Sequence, residues 1–230
     1  MIGLVTIGQS PRPDVVSSMF NVQQWPQLLE AGALDGLSTA TIVSLQPGVG
    51  DVPLVTTLRD GSEALIAKRL LLPYLQRAVD HVIRAGADVV CVLCTGSFPA
   101  LQATIRLVFP DRLLVHTVDA LLPVGTLGVL MPHEGQREVM MEKWTTLDRA
   151  AVARAASPYG ASGLLSVQAE SLVKDGAEII VMDCMGFDRS MQQTIRDTVA
   201  VPVLLANSVI GVLLNELIGM SQPSQVPSAV

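Results

Sequence analysis

The sequence predicts an α/β fold of two similar parallel-sheet lobes, related by a pseudo-twofold axis, with an active site in the cleft between them. Three observations support this prediction: an aliphatic composition, short apolar runs that alternate with longer amphipathic segments, and an internal repeat with a cysteine in each copy. Strands of a parallel sheet are buried on both faces, and alternating strands and helices build such sheets.

The composition favours buried strands covered by helices. Of the 230 residues, 50% are hydrophobic, but only 3% are aromatic and 16% are charged. This balance excludes a disordered chain. Three cysteines in a chain of this length exclude a disulfide scaffold.

The alternation predicts strands and helices along the whole chain. The strands are expected at 2–7, 41–45, 54–58, 88–94, 113–117, 126–131, 151–155, 178–183 and 201–206. The helices are expected at 13–20, 62–85, 98–107, 135–147, 162–175, 188–198 and 207–219. The segment 62–85 is the clearest helix, because Leu65, Leu72, Leu75 and Val79 recur at helical spacing. Pro73 is expected to kink or split it.

The internal repeat aligns residues 85–96 with 175–186 without a gap, so that Cys94 falls on Cys184. Each copy contains a glycine cap, a buried strand, a cysteine at the carboxyl end of that strand and a glycine in the next turn. A weaker similarity pairs 3–8 with 128–132. We therefore predict a first lobe over 1–115, completed by 206–220, and a second lobe over 116–205. The polar, proline-broken residues 221–230 are expected to form a loose tail.

The two cysteines are the leading catalytic candidates. Open α/β sheets place their ligands at the carboxyl ends of strands, so Cys94 and Cys184 would face each other across one cleft. A helix predicted to start just after each cysteine would stabilise a thiolate. The alternative is that both thiols only pack as small apolar groups. Backbone amides that could hold a carboxylate belong to Thr95, Gly96, Ser97, Met185, Gly186 and Phe187.

Two opposed thiols suit inversion of a stereocentre, because one removes a proton and the other delivers a proton to the opposite face. The scattered histidines and the cysteine spacing do not indicate a metal site. Cys91 is expected in the core, since residues three apart on a strand point to opposite faces. Asp183 should point away from Cys184, and a buried acid there needs a partner.

Loop residues supply further candidates, each with a simpler alternative. Arg12 could grip a carboxylate with Ser10 beside it, or Ser10 could only cap a helix that starts at a proline. His133 could hold substrate or lie exposed in its loop. Arg59 could line the cleft or belong to a surface turn.

Charge and pattern exclude several classes of partner. The net charge of −6 and the isoelectric point near 5.0 give no basic surface for nucleic acid. The mean hydropathy is +0.47, yet no apolar run reaches the roughly 18 residues that a membrane span needs. A secretory signal is not apparent either, so we expect the cytoplasm, where cysteines stay reduced. Nucleotide-binding motifs are absent, so no cofactor is expected. The sequence leaves a homo-oligomer open.

Four segments together make the chain similar to the AroM family, and more distantly to the aspartate/glutamate racemase superfamily. These segments are 6–14, 58–61, 182–187 and 201–207. The resemblance implies two α/β lobes and cofactor-independent acid/base chemistry on small carboxylates, with Cys94 and Cys184 as the catalytic pair and Thr95 beside them. The chain has Gln9-Ser10 where the racemases have an Asp-Ser pair.

We therefore expect a cofactor-independent racemase or epimerase that acts on a small carboxylic acid. Two alternatives remain. One is an isomerase or decarboxylase that uses a single thiol. The other is a protein that binds a small molecule in the cleft without catalysis.

Overall fold

The computed structural model describes residues 1–160 and 163–219. The predicted loose tail at 221–230 lies outside the described residues. Ten strands occur in the described part: β1 Ile2–Thr6, β2 Leu28–Gly32, β3 Pro53–Thr57, β4 Glu63–Ala67, β5 Val89–Leu93, β6 Arg106–Val108, β7 Gly125–Met131, β8 Arg149–Ala155, β9 Ile179–Met182 and β10 Val203–Leu205. The same residues form eight α-helices: α1 Pro13–Met19, α2 Thr39–Ser44, α3 Lys68–Arg84, α4 Pro110–Leu121, α5 Arg137–Trp144, α6 Gly163–Lys174, α7 Arg189–Arg196 and α8 Ala206–Gly219. Short 3-10 helices cover Val22–Gln27 and Glu134–Gln136.

Two parallel four-stranded sheets form the two lobes, as predicted. The first has the order β2-β1-β5-β6 and the second the order β8-β7-β9-β10. Within each lobe, the strand after the first helical crossover lies beside the first strand. The antiparallel hairpin β3–β4 stands apart from both sheets.

The lobes are equivalent down to the register of their strands. Gly3 of β1 pairs with Val90 of β5. Gly128 of β7 pairs with Ile180 of β9, the repeat equivalent of Val90. A Cβ atom on Gly3 would lie 2.8 Å from Val82 on α3, and one on Gly128 would lie 2.8 Å from Ala177, just after α6. Each glycine therefore allows α3 or α6, the helix that precedes the neighbouring strand β5 or β9, to pack closely on its sheet.

A central apolar core joins the two lobes. It contains the inward faces of both sheets, together with buried side chains of α1, α4, α5 and α8. A second core packs α3 and the hairpin on the outer face of the first sheet, and a third packs α6 and α7 on the second. Helix α8 contacts α1 and α4. These contacts favour the return of 206–220 to the first lobe, and the lobe boundaries remain a prediction.

Several predicted elements are wrong in type. Residues 41–45 belong largely to helix α2, because the Ser38 side chain accepts a hydrogen bond from the Thr41 amide and caps it. Residues 113–117 lie in α4, where Pro110 starts the helix and Leu114 and Val118 share its buried face.

The regions on either side of the long helix also differ from expectation. The predicted helix 62–85 begins only at Lys68, because residues 63–67 pair with β3 as strand β4. Pro73 neither splits nor ends α3, which continues to Arg84. The predicted helix 98–107 is wrong, since that stretch is irregular up to β6. Strand β2 at the edge of the first sheet was not predicted.

Among the helices at 1–160 and 163–219, none has both the length and the apolar character to cross a membrane.

Candidate active site

A small cavity of about 30 Å³ lies at the carboxyl ends of β1 and β5 of one lobe and β9 of the other. Both Cys94 and Cys184 line it, as the sequence predicts. Its volume exceeds the roughly 10–15 Å³ that one water needs, but it is far smaller than a small-molecule pocket. The remaining lining residues are Ile7, Arg12, Leu54, Val55, Thr56, Leu93, Thr95, Gly96, Pro132, Gln136, Met140, Tyr159, Met185 and Gly186.

The two thiols have the same local surroundings. The Cys94 Sγ accepts a hydrogen bond from the Gly96 amide at 3.4 Å. The Cys184 Sγ accepts one from the Gly186 amide at 3.4 Å. Each thiol thus lies in a tight turn after a central strand. The helix expected after Cys94 is wrong, since residues 98–107 form no helix, whereas the helix expected at 188–198 after Cys184 is present as α7, which begins at Arg189.

Burial makes both thiols weak acids. It raises the pKa of Cys94 to about 11, against the opposing effects of the Gly96 amide and Lys143. It raises the pKa of Cys184 to about 12, and a charge on Cys94 adds to that increase. Removal of water disfavours a thiolate more than one amide favours it. At neutral pH both groups are therefore protonated, which corrects the expected lowering by helix dipoles.

Cys91 lies in the core, as expected. Its side chain is buried against the central core with Val89 and Leu93, whereas Val90 and Val92 face the opposite side of the sheet. Burial alone raises its pKa far above the ordinary value of a thiol. Cys91 does not line the cavity.

Arg12 is buried at the edge of the cavity and connects the two lobes. Its guanidinium donates to both Asp14 carboxylate oxygens, at 2.9 and 2.6 Å, and to the Tyr159 hydroxyl at 3.0 Å. Burial opposes the charge on Arg12, but these partners together keep its pKa above the ordinary value. Arg12 therefore presents a fixed positive charge to the cavity.

Tyr159 also lines the cavity, although no sequence pattern predicts it. Its hydroxyl lies where a Cβ on Gly186 would come within 2.4 Å, so the absence of a side chain at Gly186 gives it room. Burial raises the pKa of Tyr159, and the proximity of Cys184 adds to that effect. Tyr159 follows β8 in an irregular segment without a recognisable motif.

The other predicted residues divide into two groups. Thr95, Gly96 and Gly186 line the cavity with the thiols. The structure does not bring Ser10, Ser97, His133 or Phe187 to it. Phe187 is fully buried in the core of the second lobe. Ser97 lies in a neighbouring surface pocket, and the His133 Nδ1 accepts from the Gly135 amide in its own loop.

Ser10 belongs to a network beside the cleft. Its hydroxyl donates to Asp35 at 2.5 Å, and Arg59 donates to Asp35 at 2.9 Å and to the Ser10 carbonyl at 2.7 Å. The network fixes the first loop. Arg59 therefore acts on the shape of that loop and does not line the cavity.

Asp183 has the partners that its burial requires. Its carboxylate accepts hydrogen bonds from Lys143 at 3.0 and 2.9 Å and from the Trp144 indole at 2.7 Å. The Asp183 carbonyl accepts from the Thr95 hydroxyl at 3.1 Å. This network joins the loops that carry the two cysteines.

Two polar atoms at the cavity lack a partner among the described residues: the Thr56 Oγ1 and the Gln136 Oε1. The amide nitrogen of Gln136 donates to the Pro53 carbonyl at 2.7 Å, which fixes the oxygen as the free end. A buried acceptor without a partner is costly, so such groups indicate a place for water or ligand. Neither residue was predicted.

The sequence profile of the family described as "AroM protein" matches residues 2–218. The chain belongs to the AroM family. No curated protein matches it in sequence.

Solved structures share the fold of this AroM family member. Its chain is similar to a glutamate racemase isoform from Bacillus anthracis, at 12% identity and a TM-score of 0.63, over 95% of this chain and 81% of that one. A mutant of arylmalonate decarboxylase in its sulfate-associated form matches at 12% identity with a TM-score of 0.58, over 96% and 94%. An aspartate racemase homologue from Pyrococcus horikoshii matches at 11% identity with a TM-score of 0.56, over 95% and 98%.

A larger surface pocket of about 430 Å³ adjoins the cavity in this AroM family member. Four residues line both the cavity and this pocket and lie between them: Leu54, Gly96, Gln136 and Met140. Lys68 and Lys143 line the outer pocket. In the part of the chain that the structure describes, no group of three or more His, Cys, Asp or Glu side chains is arranged to hold a metal ion.

Proposed function

We propose that this protein is a cofactor-independent racemase or epimerase that acts on a small carboxylic acid. Cys94 and Cys184 would be the opposed acid/base pair. The proposal depends chiefly on one observation: two thiols in matching turns of two equivalent lobes line a single cavity. Two proton carriers on opposite faces of a bound carbon acid are the arrangement that inversion requires.

In the proposed reaction, one cysteine acts as the thiolate and takes the proton from the α-carbon. The electrons of the broken C–H bond move into the carboxylate of the substrate. The other cysteine then donates its S–H proton to the opposite face and becomes a thiolate. Atoms and charge balance: the first cysteine ends protonated and the second ends as the thiolate, which is the starting state for the reverse direction.

The residues that line the cavity suit a ligand that carries a carboxylate at one end and a hydrogen-bond donor at the other. Arg12 and the Tyr159 hydroxyl offer donors to a carboxylate. The Gln136 Oε1 is free to accept a hydrogen bond, and the Thr56 hydroxyl has no partner among the described residues. An acid with an amino or hydroxyl group on the α-carbon would satisfy both ends.

Solvent deuterium tests the proposal. Small chiral carboxylic acids are incubated with the protein in D₂O, and deuterium at the α-carbon and loss of optical rotation are followed by NMR and polarimetry. The wild-type protein should exchange and racemise the substrate, while Cys94→Ser and Cys184→Ser should lose racemisation by several orders of magnitude. Cys91→Ser is the matched control, because Cys91 faces the core. Unchanged racemisation in either active-site variant would refute the two-thiol mechanism.

A decarboxylase that uses one thiol is the second candidate, because the fold is also that of arylmalonate decarboxylase. One cysteine would then protonate the carbanion that is left when CO₂ departs. Release of CO₂ from substituted malonates, lost in one cysteine variant and kept in the other, would favour this activity. A non-catalytic binding protein would show neither exchange nor CO₂ release.

We also propose that the protein works in the cytoplasm. In support, all three cysteines are free thiols, as expected in a reducing compartment. Fractionation of the source cells would test the location, and sedimentation would measure the oligomeric state.

A further inference from the structure

Lys143 belongs to the second lobe but reaches the cysteine loop of the first. It lies on α5, which packs on β7 and β8. Its ammonium donates to the Thr95 carbonyl at 2.9 Å, directly after Cys94. The same group forms an ion pair with Asp183 at 2.9 Å, and its side chain is only 11% exposed. Lys143 is thus held in place next to the thiol of the opposite lobe.

Arg12 makes the reciprocal contact. It follows β1 of the first lobe, and its guanidinium binds the Tyr159 hydroxyl of the second lobe at 3.0 Å. That hydroxyl lies against Gly186, two residues after Cys184. Arg12 lies just before α1 and Lys143 lies in the last turn of α5, and these are the first α-helices after the first strand of each lobe.

The charged and titratable groups around each thiol can be named. Lys143 favours the thiolate of Cys94, whereas Asp183 and Asp111 oppose it. Arg12 favours the thiolate of Cys184, whereas Cys94 and Asp183 oppose it, and the Tyr159 hydroxyl also lies nearby. Each thiol therefore has one favourable side-chain charge among these neighbours, and that charge comes from the other lobe.

We propose that Lys143 is a positioning residue that stabilises the Cys94 thiolate from across the cleft, and that Arg12 does the same for Cys184. The catalytic meaning of this arrangement rests on the proposed function, but thiolate stabilisation itself does not. It follows that the acidity of each thiol depends on the packing of both lobes against each other, which the central core secures.

The test measures thiol acidity without any substrate. The full-length protein is alkylated with iodoacetamide from pH 7 to 11, and the modification of each cysteine is followed by mass spectrometry of its peptide. Lys143→Met should slow alkylation of Cys94 about tenfold at a fixed pH, equivalent to about one pKa unit. The alkylation rate of Cys184 serves as the internal reference. Arg12→Met should instead slow alkylation of Cys184, with the rate of Cys94 as the reference.

Substitutions of Lys143 and of Asp183 should change the alkylation rate of Cys94 in opposite directions, which a purely structural role of Lys143 would not predict. Asp183→Asn keeps an acceptor for Trp144 but removes the negative charge, so it should speed alkylation of Cys94. Lys143→Arg should restore most of the rate that Lys143→Met loses. If Lys143→Met and Asp183→Asn change the rate in the same direction, or Lys143→Met leaves it unchanged, the proposal is wrong. If Lys143→Met does not fold, Lys143→Arg and Asp183→Asn still decide, because only Asp183→Asn should speed the reaction. Because no turnover is measured, this outcome is separate from that of the deuterium experiment.

Discussion

The surroundings of single residues decide how easily the two cavity thiols ionise. A thiol at the start of a helix is expected to ionise easily, but Cys94 and Cys184 each receive one amide hydrogen bond in a tight turn. Burial outweighs that bond and raises the pKa of both groups. A thiolate formed under these conditions is rare but strongly basic, which suits removal of a proton from carbon.

The raised pKa of Cys94 predicts a loss of stability in alkali. Its pKa rises from an ordinary value near 9 to about 11 on folding, so its contribution is complete below pH 9 and is lost as the pH rises through 11. Cys94→Ser should therefore reduce the alkaline loss by about 2 kcal/mol. Urea unfolding of both proteins at pH 8 and pH 11 measures it. An equal loss in the two proteins would show that Cys94 is not the group responsible.

The partners of Asp183 illustrate what single residues in the sequence conceal. The sequence shows that a buried acid next to Cys184 needs a partner, but Lys143 and Trp144 lie on α5, which is remote from Asp183 in the sequence. Thr56, Gln136 and Tyr159 are similar cases, since the hairpin, a 3-10 helix and an irregular segment bring them together. Cys94, Cys184 and Arg12 were predictable because they follow buried strands.

Secondary-structure elements were predictable where periodicity and capping agree. The strands β1, β5, β7 and β9 carry long buried runs, and α3 has a clear apolar stripe. The sequence around helix α2 predicts a strand, because β-branched side chains dominate Thr39–Ser44. Its start is decided by the Ser38 cap, which weighs more than side-chain preference.

The Ser38 cap gives a prediction for that helix. The Ser38 side chain accepts from the Thr41 amide at 3.2 Å, so Ser38→Ala should destabilise the protein by about 1 kcal/mol. Thr39→Ala is the control, because Thr39 is exposed at the next position and should change stability by less than about 0.5 kcal/mol. Urea unfolding measures both. Equal stabilities of the two variants would argue against the cap.

At the scale of the whole molecule, the equivalence of the lobes predicts that matching substitutions in the two lobes reduce folding stability by similar amounts. A Cβ on Gly3 or Gly128 would lie 2.8 Å from a side chain of the packed helix layer. Gly3→Ala and Gly128→Ala should each cost about 1–3 kcal/mol by overpacking. Gly163→Ala is the control, since no atom of the described residues lies within 4 Å of its Cβ position. Denaturant unfolding measures all three. No loss in one of the two strand variants would mean that the lobes pack differently.

The cavity is too small for an organic acid, so the proposed substrate could enter only if the cleft opened locally, although the central core holds the lobes together. The Arg12–Tyr159 hydrogen bond spans that cleft. Tyr159→Phe removes a bond worth about 1 kcal/mol and should speed hydrogen exchange in the peptides around Gly186 by up to about fivefold. Tyr74→Phe, in a tyrosine on α3 away from the cavity, should leave that exchange unchanged. Mass spectrometry measures the hydrogen exchange of both variants. Unaltered exchange in Tyr159→Phe would show that another contact keeps the cleft closed.

The hairpin β3–β4 breaks the equivalence of the lobes, because the first lobe inserts it between its edge strand and its long helix and the described residues of the second lobe contain no such hairpin. Leu54, Val55 and Thr56 of the hairpin cover one side of the cavity, while the second lobe places Tyr159 at the other. In a racemase, mirror-image substrates would meet different walls, so their individual kcat and KM values would differ. Mirror-image compounds nevertheless have equal free energies, so the ratio kcat/KM must be the same in both directions. If the protein is the proposed racemase, the hairpin sets how kcat and KM differ between the two enantiomers, while the final mixture stays even.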